Sequence, residues 1–531
     1  MNFSVVGDQL RAMSRRIHEF GAALTDSWSA LAGSVSERRF VVFVVLPLAV
    51  ALAVSVPLLP QLGLAAALLV AVLAVYIGDR RWGVAVLLAL WFVVPGVRRV
   101  LGYVTEQVAN DPLSLLPFAA TAGAALVELA RASVPRSALL AAAAVAAGFA
   151  FGLPLGFAAA PLPAMFAFGA YVAGLAGAIV IGGTLGRDGA TRVLFRAIVV
   201  LAPLLALYAL WQRLFGLPAW DQEWLDVSDF WSVIVEGQGA LRVFSTANSP
   251  GTLAPLLAAG LLAALALRRR PAVAIPLALL CGLALGLTYV RSAWIALAAA
   301  ALVYIVVSRG RVLPAVAAFL VIAVATVAVL APVAPAAREV VQRARTIAQA
   351  SSDRSVNERR QLLAEQLPAS LTRPLGHGVG SAGEPSRLRG ETPLRAPDNG
   401  YLSLLYQLGP AGFLLVAMAL FAAVGAAVRL AVEAPAEARA TPIVAGARAT
   451  RTGRDASASD VRELRTWALA LLAFYAVQLT AQDTFYGAHG VVLGLLCGAA
   501  LVSVPAGVDA SARRPVSSHR RLPLAVRATL R

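Results

Sequence analysis

The chain has 531 residues, of which 59% are hydrophobic and 14% charged, with a mean hydropathy of +0.77. A soluble domain is roughly 45–50% apolar and about 25% charged, so a soluble globular enzyme, a disordered chain and a fibrous one are excluded. The net charge of +17 comes from 45 arginines, no lysine and 28 acids; the arginines sit in short loops between apolar runs, which points to orientation in a membrane and not to nucleic acid.

In chain order, residues 1–39 form a polar segment whose Leu10, Met13, Ile17, Phe20, Leu24, Trp28 and Leu31 recur at steps of three or four. That spacing predicts an amphipathic helix on the cytoplasmic leaflet. A hydrocarbon core needs roughly 20 apolar residues per helix. Fourteen such runs start near Phe40, Gln61, Trp82, Pro112, Ala138, Leu162, Val193, Ser249, Ala272, Ser292, Val312, Asn399, Trp467 and Gly490. The third reads as short, so 12–14 spans over residues 40–505 are expected. The fold class is an all-α polytopic bundle. Cys281 and Cys497 lie inside apolar runs and read as packing residues.

Arginine placement orients the bundle. With the amino terminus cytoplasmic, Arg80, Arg81, Arg131, Arg136, Arg187, Arg192, Arg268 to Arg270, Arg309 and Arg311 all fall inside. So do the linker at 429–465, whose Glu433 to Asp460 stretch reads as flexible from its Ala, Arg, Thr, Ser and Gly content, and the basic tail at 506–531. Arg98 and Arg99 are exceptions on the outer side. Two outer segments stand apart. Residues 216–247 are acidic and aromatic, with Trp220, Asp221, Glu223, Trp224, Asp226, Asp229, Phe230 and Trp231; interfacial anchoring and sugar stacking both fit them. The loop at 332–397 holds ten arginines.

Four outer features carry chemistry. Arg242 precedes Phe244-Ser245-Thr246-Ala247-Asn248-Ser249-Pro250-Gly251, the start of the eighth span. Arg291 sits in the tight turn Thr288-Tyr289-Val290-Arg291-Ser292, where a charge between apolar runs is costly without a partner or ligand. Ser355 and Glu358 make a capping box, so an amphipathic helix begins there with Arg359 just past its first turn, ahead of Pro374-Leu375-Gly376-His377-Gly378-Val379-Gly380. Asp398 and Asn399 open the twelfth span, which leads to Gly409-Pro410-Ala411-Gly412.

Together these motifs resemble the O-antigen ligase and O-antigen polymerase family of bacterial membrane glycosyltransferases, over roughly Arg242 to Gly412. An arginine ahead of a proline-containing helix start, a Ser-Arg-like turn, an arginine about fifteen residues before a Pro-Leu-x-Gly-x-Gly run, and a His-Asn pair opening a span are the family's pattern. This chain carries Asp398 where the family has histidine. Histidine is characteristic of the ligases, so aspartate points toward a polymerase.

The resemblance implies a C-type glycosyltransferase-like architecture, a polyprenyl-diphosphate-linked glycan donor, a glycan or lipid acceptor, and a reaction on the outer face of the bacterial plasma membrane. A flippase or chain-length regulator is an expected partner. Arginine suits the donor: its planar fork matches phosphate oxygens, and charge grows on the diphosphate as the glycosidic bond breaks. Arg242, Arg291 and Arg359 are therefore expected to hold the diphosphate, with Arg354 and Arg360 as neighbours competing for that contact. No acidic metal motif accompanies them, so transfer without a metal or other cofactor is expected. Asp398 is the expected general base toward the acceptor hydroxyl, although an aspartate there also fits a helix N-cap. Asn399 is placed to orient it or to bind a sugar hydroxyl. His377 is an alternative base, and Asp483, at the outer end of the thirteenth span, is a further substrate-binding residue. The preferred activity is polymerisation of repeat units. A ligase moving a finished glycan to a terminal acceptor is the alternative, and a transporter or flippase is the rival from another class.

Overall fold

The computed structural model describes residues 60–106, 112–228, 233–234, 241–332, 334–348, 354–389, 398–440 and 451–502. The run from Phe40, the amino-terminal amphipathic segment, the basic tail, and Asp229, Phe230 and Trp231 lie outside the described residues. The described residues form helices and no strands. In order these are α1 (Pro60–Gly78), α2 (Arg80–Thr105), α3 (Leu116–Ala130), α4 (Arg136–Ala159), α5 (Pro161–Leu185), α6 (Arg187–Phe215) and the short α7 (Ala219–Ser228). Then follow α8 (Pro250–Ala266), α9 (Pro271–Leu287), α10 (Arg291–Val307), α11 (Leu313–Leu330), α12 (Pro335–Ala348), α13 (Arg354–Leu371), α14 (Gly400–Ala440), α15 (Arg451–Gln478) and α16 (Gly487–Leu501).

Among the described residues, six helices are long and apolar enough to cross a membrane, and six shorter ones are apolar. Every expected run after the first falls on one of these helices or, for the run from Trp467, on the second half of α15. The run from Trp82 is not short: α2 has 26 residues because Asp79 caps its start through Arg81 and Trp82 N–H, and Pro95 is accommodated within it. The segment read as linker is helical to Ala440 and again from Arg451. Alanine, arginine and glutamate are strong helix formers, and their propensity outweighs the scattered serine and threonine.

The bundle packs through small residues. A Cβ on Gly182, Gly494 or Gly498 would run into backbone across the α5–α16 contact, so these glycines set the approach of the two helices. Polar anchors sit at one end of the bundle. Glu128 bonds Arg80, Arg131 and Ser133, while Arg268 makes a paired contact with Glu463, which also accepts from Tyr304. The opposite end carries the starts of α8, α10 and α14 and the helices α12 and α13.

Candidate active site

The backbone joins two of the expected motifs directly. Val243 N–H donates to the Leu287 carbonyl at 3.2 Å, and Arg242 Nε donates to the Thr288 carbonyl at 3.1 Å. The strand-like approach to α8 is therefore laid along the α9–α10 turn that carries Arg291. Ser249 then caps α8 through Thr252 N–H at 3.0 Å, with Pro250 in the first turn. The α9–α10 turn is sharp because Tyr289 takes a left-handed backbone at φ 53°, unusual for a bulky residue. Its hydroxyl donates to Glu339 on α12 at 2.7 Å, and Glu339 also pairs with Arg213 at the end of α6 at 3.1 Å. That three-way contact holds α12 over the turn.

Among the charges that act on Arg242 are Arg343, Asp398, Arg291 and Arg359. Four arginines from four separate elements and one carboxylate thus share one neighbourhood. Burial first, then the like charge of Arg343, push the Arg242 guanidinium down to about 10; Asp398 opposes this, and Arg291 and Arg359 add to it. Asp398 accepts from Arg359 Nε at 2.8 Å, and both side chains stay partly open to solvent at 51% and 39%. Guanidiniums gathered beside a carboxylate suit an anion with several oxygens.

Arg343, on α12, is the member that sequence reasoning missed. It was one of ten arginines in a long loop, and only the alternation of Val340, Val341 and Ile347 with Arg338, Glu339, Arg343 and Arg345 marked a helix there.

Asn399 caps α14: its side-chain oxygen accepts from Leu402 N–H at 3.0 Å. The capping function that Asp398 also fitted in the sequence is thus made by its neighbour, and Asp398 faces Arg359. Gln478 bonds Ser292 beside Arg291 at 3.3 Å and Gln482 at 2.9 Å, while Gly400 N–H donates to the Leu479 carbonyl at 2.7 Å. The α15–α16 turn therefore supports both Arg291 and Asp398.

Arg360 is exposed on α13, and the side chain of Arg354 lies outside the described residues. His377 stacks on Tyr406 with ring centres 3.7 Å apart. The turn around it needs glycine: Gly376, Gly378 and Gly380 all have positive φ, and a Cβ at Gly376 would meet the backbone at Gly409. Asp483 accepts from Tyr171 at 2.8 Å, Ser403 at 3.0 Å and Phe485 N–H at 3.1 Å. Burial raises the proton affinity of this carboxyl, and the three donors partly offset that. It ties α5, α14 and the α15–α16 turn together.

Fold and site together define, over the described residues, an all-helical, polytopic membrane protein with an arginine-rich cluster at one end of its bundle. Residues 276–417 match the family model described as O-antigen ligase, so the resemblance drawn from the motifs holds over that stretch. The matched segment contains Arg291, Arg343, Arg359 and Asp398 and excludes Arg242. No curated protein matches the chain. The family match and the apolar helices support a membrane glycan-processing enzyme in a bacterial inner membrane, acting on lipid-linked glycans.

Proposed function

We propose that the protein is a glycosyltransferase that polymerises polyprenyl-diphosphate-linked oligosaccharide repeat units on the outer face of the plasma membrane. What supports this reading is the influence of Arg343, Asp398, Arg291 and Arg359 on the Arg242 guanidinium, together with the Arg359–Asp398 contact. The arginines hold the diphosphate and stabilise the charge that builds on it as the leaving group departs. They occupy the role a divalent cation fills in other transferases. The acceptor hydroxyl attacks the anomeric carbon, the bond to the diphosphate oxygen breaks, and Asp398 takes the hydroxyl proton.

The Arg359–Asp398 contact gives this step an order. A bound diphosphate competes for the Arg359 guanidinium and leaves the carboxylate to face the acceptor. Both side chains have solvent around them, so the exchange breaks no buried pair. Both termini are cytoplasmic in this reading, with the arginine-rich end of the bundle outside. The family description favours a second reading, a ligase that transfers a finished glycan once to a terminal acceptor.

Purified protein in lipid, given polyprenyl-diphosphate-linked oligosaccharide, separates the two. A ladder of repeat multiples, abolished by Arg291→Ala, supports the polymerase. A single transfer product that appears only with an added terminal acceptor supports the ligase. No product from a donor proven active with another transferase refutes both.

A further inference from the structure

Arg99 and Asp221 lie outside the arginine pocket, yet they grip the segment that delivers one of its members. Both side chains are fully buried, with Arg99 Nε 3.2 Å from Asp221 Oδ1. Arg99 also donates to the Ser245 carbonyl and lies 5.2 Å and 5.0 Å from the ring centres of Trp224 and Phe244. Asp221 Oδ2 accepts from Tyr208 at 2.9 Å and from Gln212 Nε2 at 2.8 Å. The amide oxygen of the same Gln212 accepts both Phe244 N–H at 3.2 Å and Ser245 N–H at 2.8 Å. The Ser245 hydroxyl donates to the Leu205 carbonyl at 2.8 Å. Three elements, α2, α6 and α7, therefore converge on Phe244 and Ser245. Ser245 is held there in a left-handed backbone at φ 54°.

Stability is a poor reason for such a network. A buried ion pair is often replaceable by apolar side chains without loss, and a charged residue inside a span is a functional signal by default. The grip does fix geometry. Ser245 is three residues from Arg242, whose own side chain is tied to Thr288 beside Arg291. The chain between the two ties is too short to absorb a shift.

We propose that Arg99, Asp221 and Gln212 form a positioning device that sets the reach of Arg242 into the arginine pocket. This rests on the diphosphate-site reading above. Displacing a transition-state contact by about 1 Å costs on the order of 100-fold in rate. Gln212→Met, which removes the two contacts to Phe244 and Ser245 N–H without adding a buried charge, is therefore expected to lower kcat/KM for lipid-linked donor by roughly 10- to 100-fold. Asp221→Asn is expected to act in the same direction.

The test is a double-mutant cycle in proteoliposomes, with thermal unfolding of each purified variant as a folding control. In an Arg242→Lys background, Gln212→Met is expected to cost only a small fraction of its effect in wild type, because the residue it positions is already altered. Full multiplication of the two effects, in variants that unfold like wild type, overturns the proposal and leaves the diphosphate site standing. Unchanged activity in Gln212→Met and Asp221→Asn overturns it in the same way. Unchanged activity in both Arg242→Lys and Arg242→Ala overturns it through its foundation and refutes the role of Arg242 itself.

Discussion

Replacing Asp398 by asparagine separates chemistry from folding at the pocket. The substitution keeps the side-chain shape and removes the charge that faces Arg359 across 2.8 Å. With 51% and 39% of the two side chains open to solvent, such a pair contributes about 0–1 kcal/mol to stability. The helix start is untouched, because Asn399 makes the cap of α14. The expected change in unfolding free energy is therefore under about 1 kcal/mol. A general base contributes roughly 10²–10⁴-fold in rate, or about 3–5 kcal/mol in the transition state. The two magnitudes are far enough apart to read independently. Asp398→Asn is expected to unfold like wild type and to lose at least about 100-fold in kcat for donor consumption. Asn399→Ala should do the reverse to stability, costing about 1 kcal/mol through the lost cap. A kcat for Asp398→Asn within about threefold of wild type would refute the base assignment, since that is far below the smallest general-base contribution.

Three other outcomes follow from the same geometry. Arg343→Ala is expected to lower kcat/KM by about 10- to 100-fold, the equivalent of a charge-assisted hydrogen bond of roughly 1.5–3 kcal/mol; an unaltered kcat/KM removes α12 from the site. The Arg242 guanidinium, pushed down to about 10, loses its proton as pH rises through that value, so inhibition by sugar-free polyprenyl diphosphate should weaken there. Because the folded form gives up this proton more readily than the unfolded one, the same group adds stability as pH rises from about 10 toward the ordinary arginine range. Inhibition that stays constant well above that pH counts against Arg242 as a phosphate ligand. Transfer is expected to survive a divalent-cation chelator, and loss of activity restored by magnesium would show that the arginines do not fill the metal's role.

Hydrophobic run length made the helices legible, since a span must be apolar over about 20 residues whatever it packs against. The starts of α4, α8, α9, α10 and α14 follow from it. The length of α2 was not legible, because Arg98 and Arg99 interrupt its second half and read as loop. Composition was a weaker guide in the linker, which is helical to Ala440 and again from Arg451 although its content is mixed. Arg242, Arg291, Arg359 and Asp398 stood out because each breaks an apolar pattern or opens a span. Arg343 did not, being one charge among many in a polar loop.

What the sequence determined by itself was the solvent, the class of structure and the residue types able to meet a diphosphate, because apolar run length and charge are local properties of the chain. Only the tertiary structure decided which charges meet. Arg242 and Arg359 are more than a hundred residues apart, and the Ser245 loop draws on Arg99 from the far end of α2. Asp398 and Asn399 are adjacent and equally able to cap a helix. The backbone of α14 gave the cap to Asn399, and the placing of α13 turned Asp398 toward Arg359. Such choices rest on packing between distant segments, which no local pattern records.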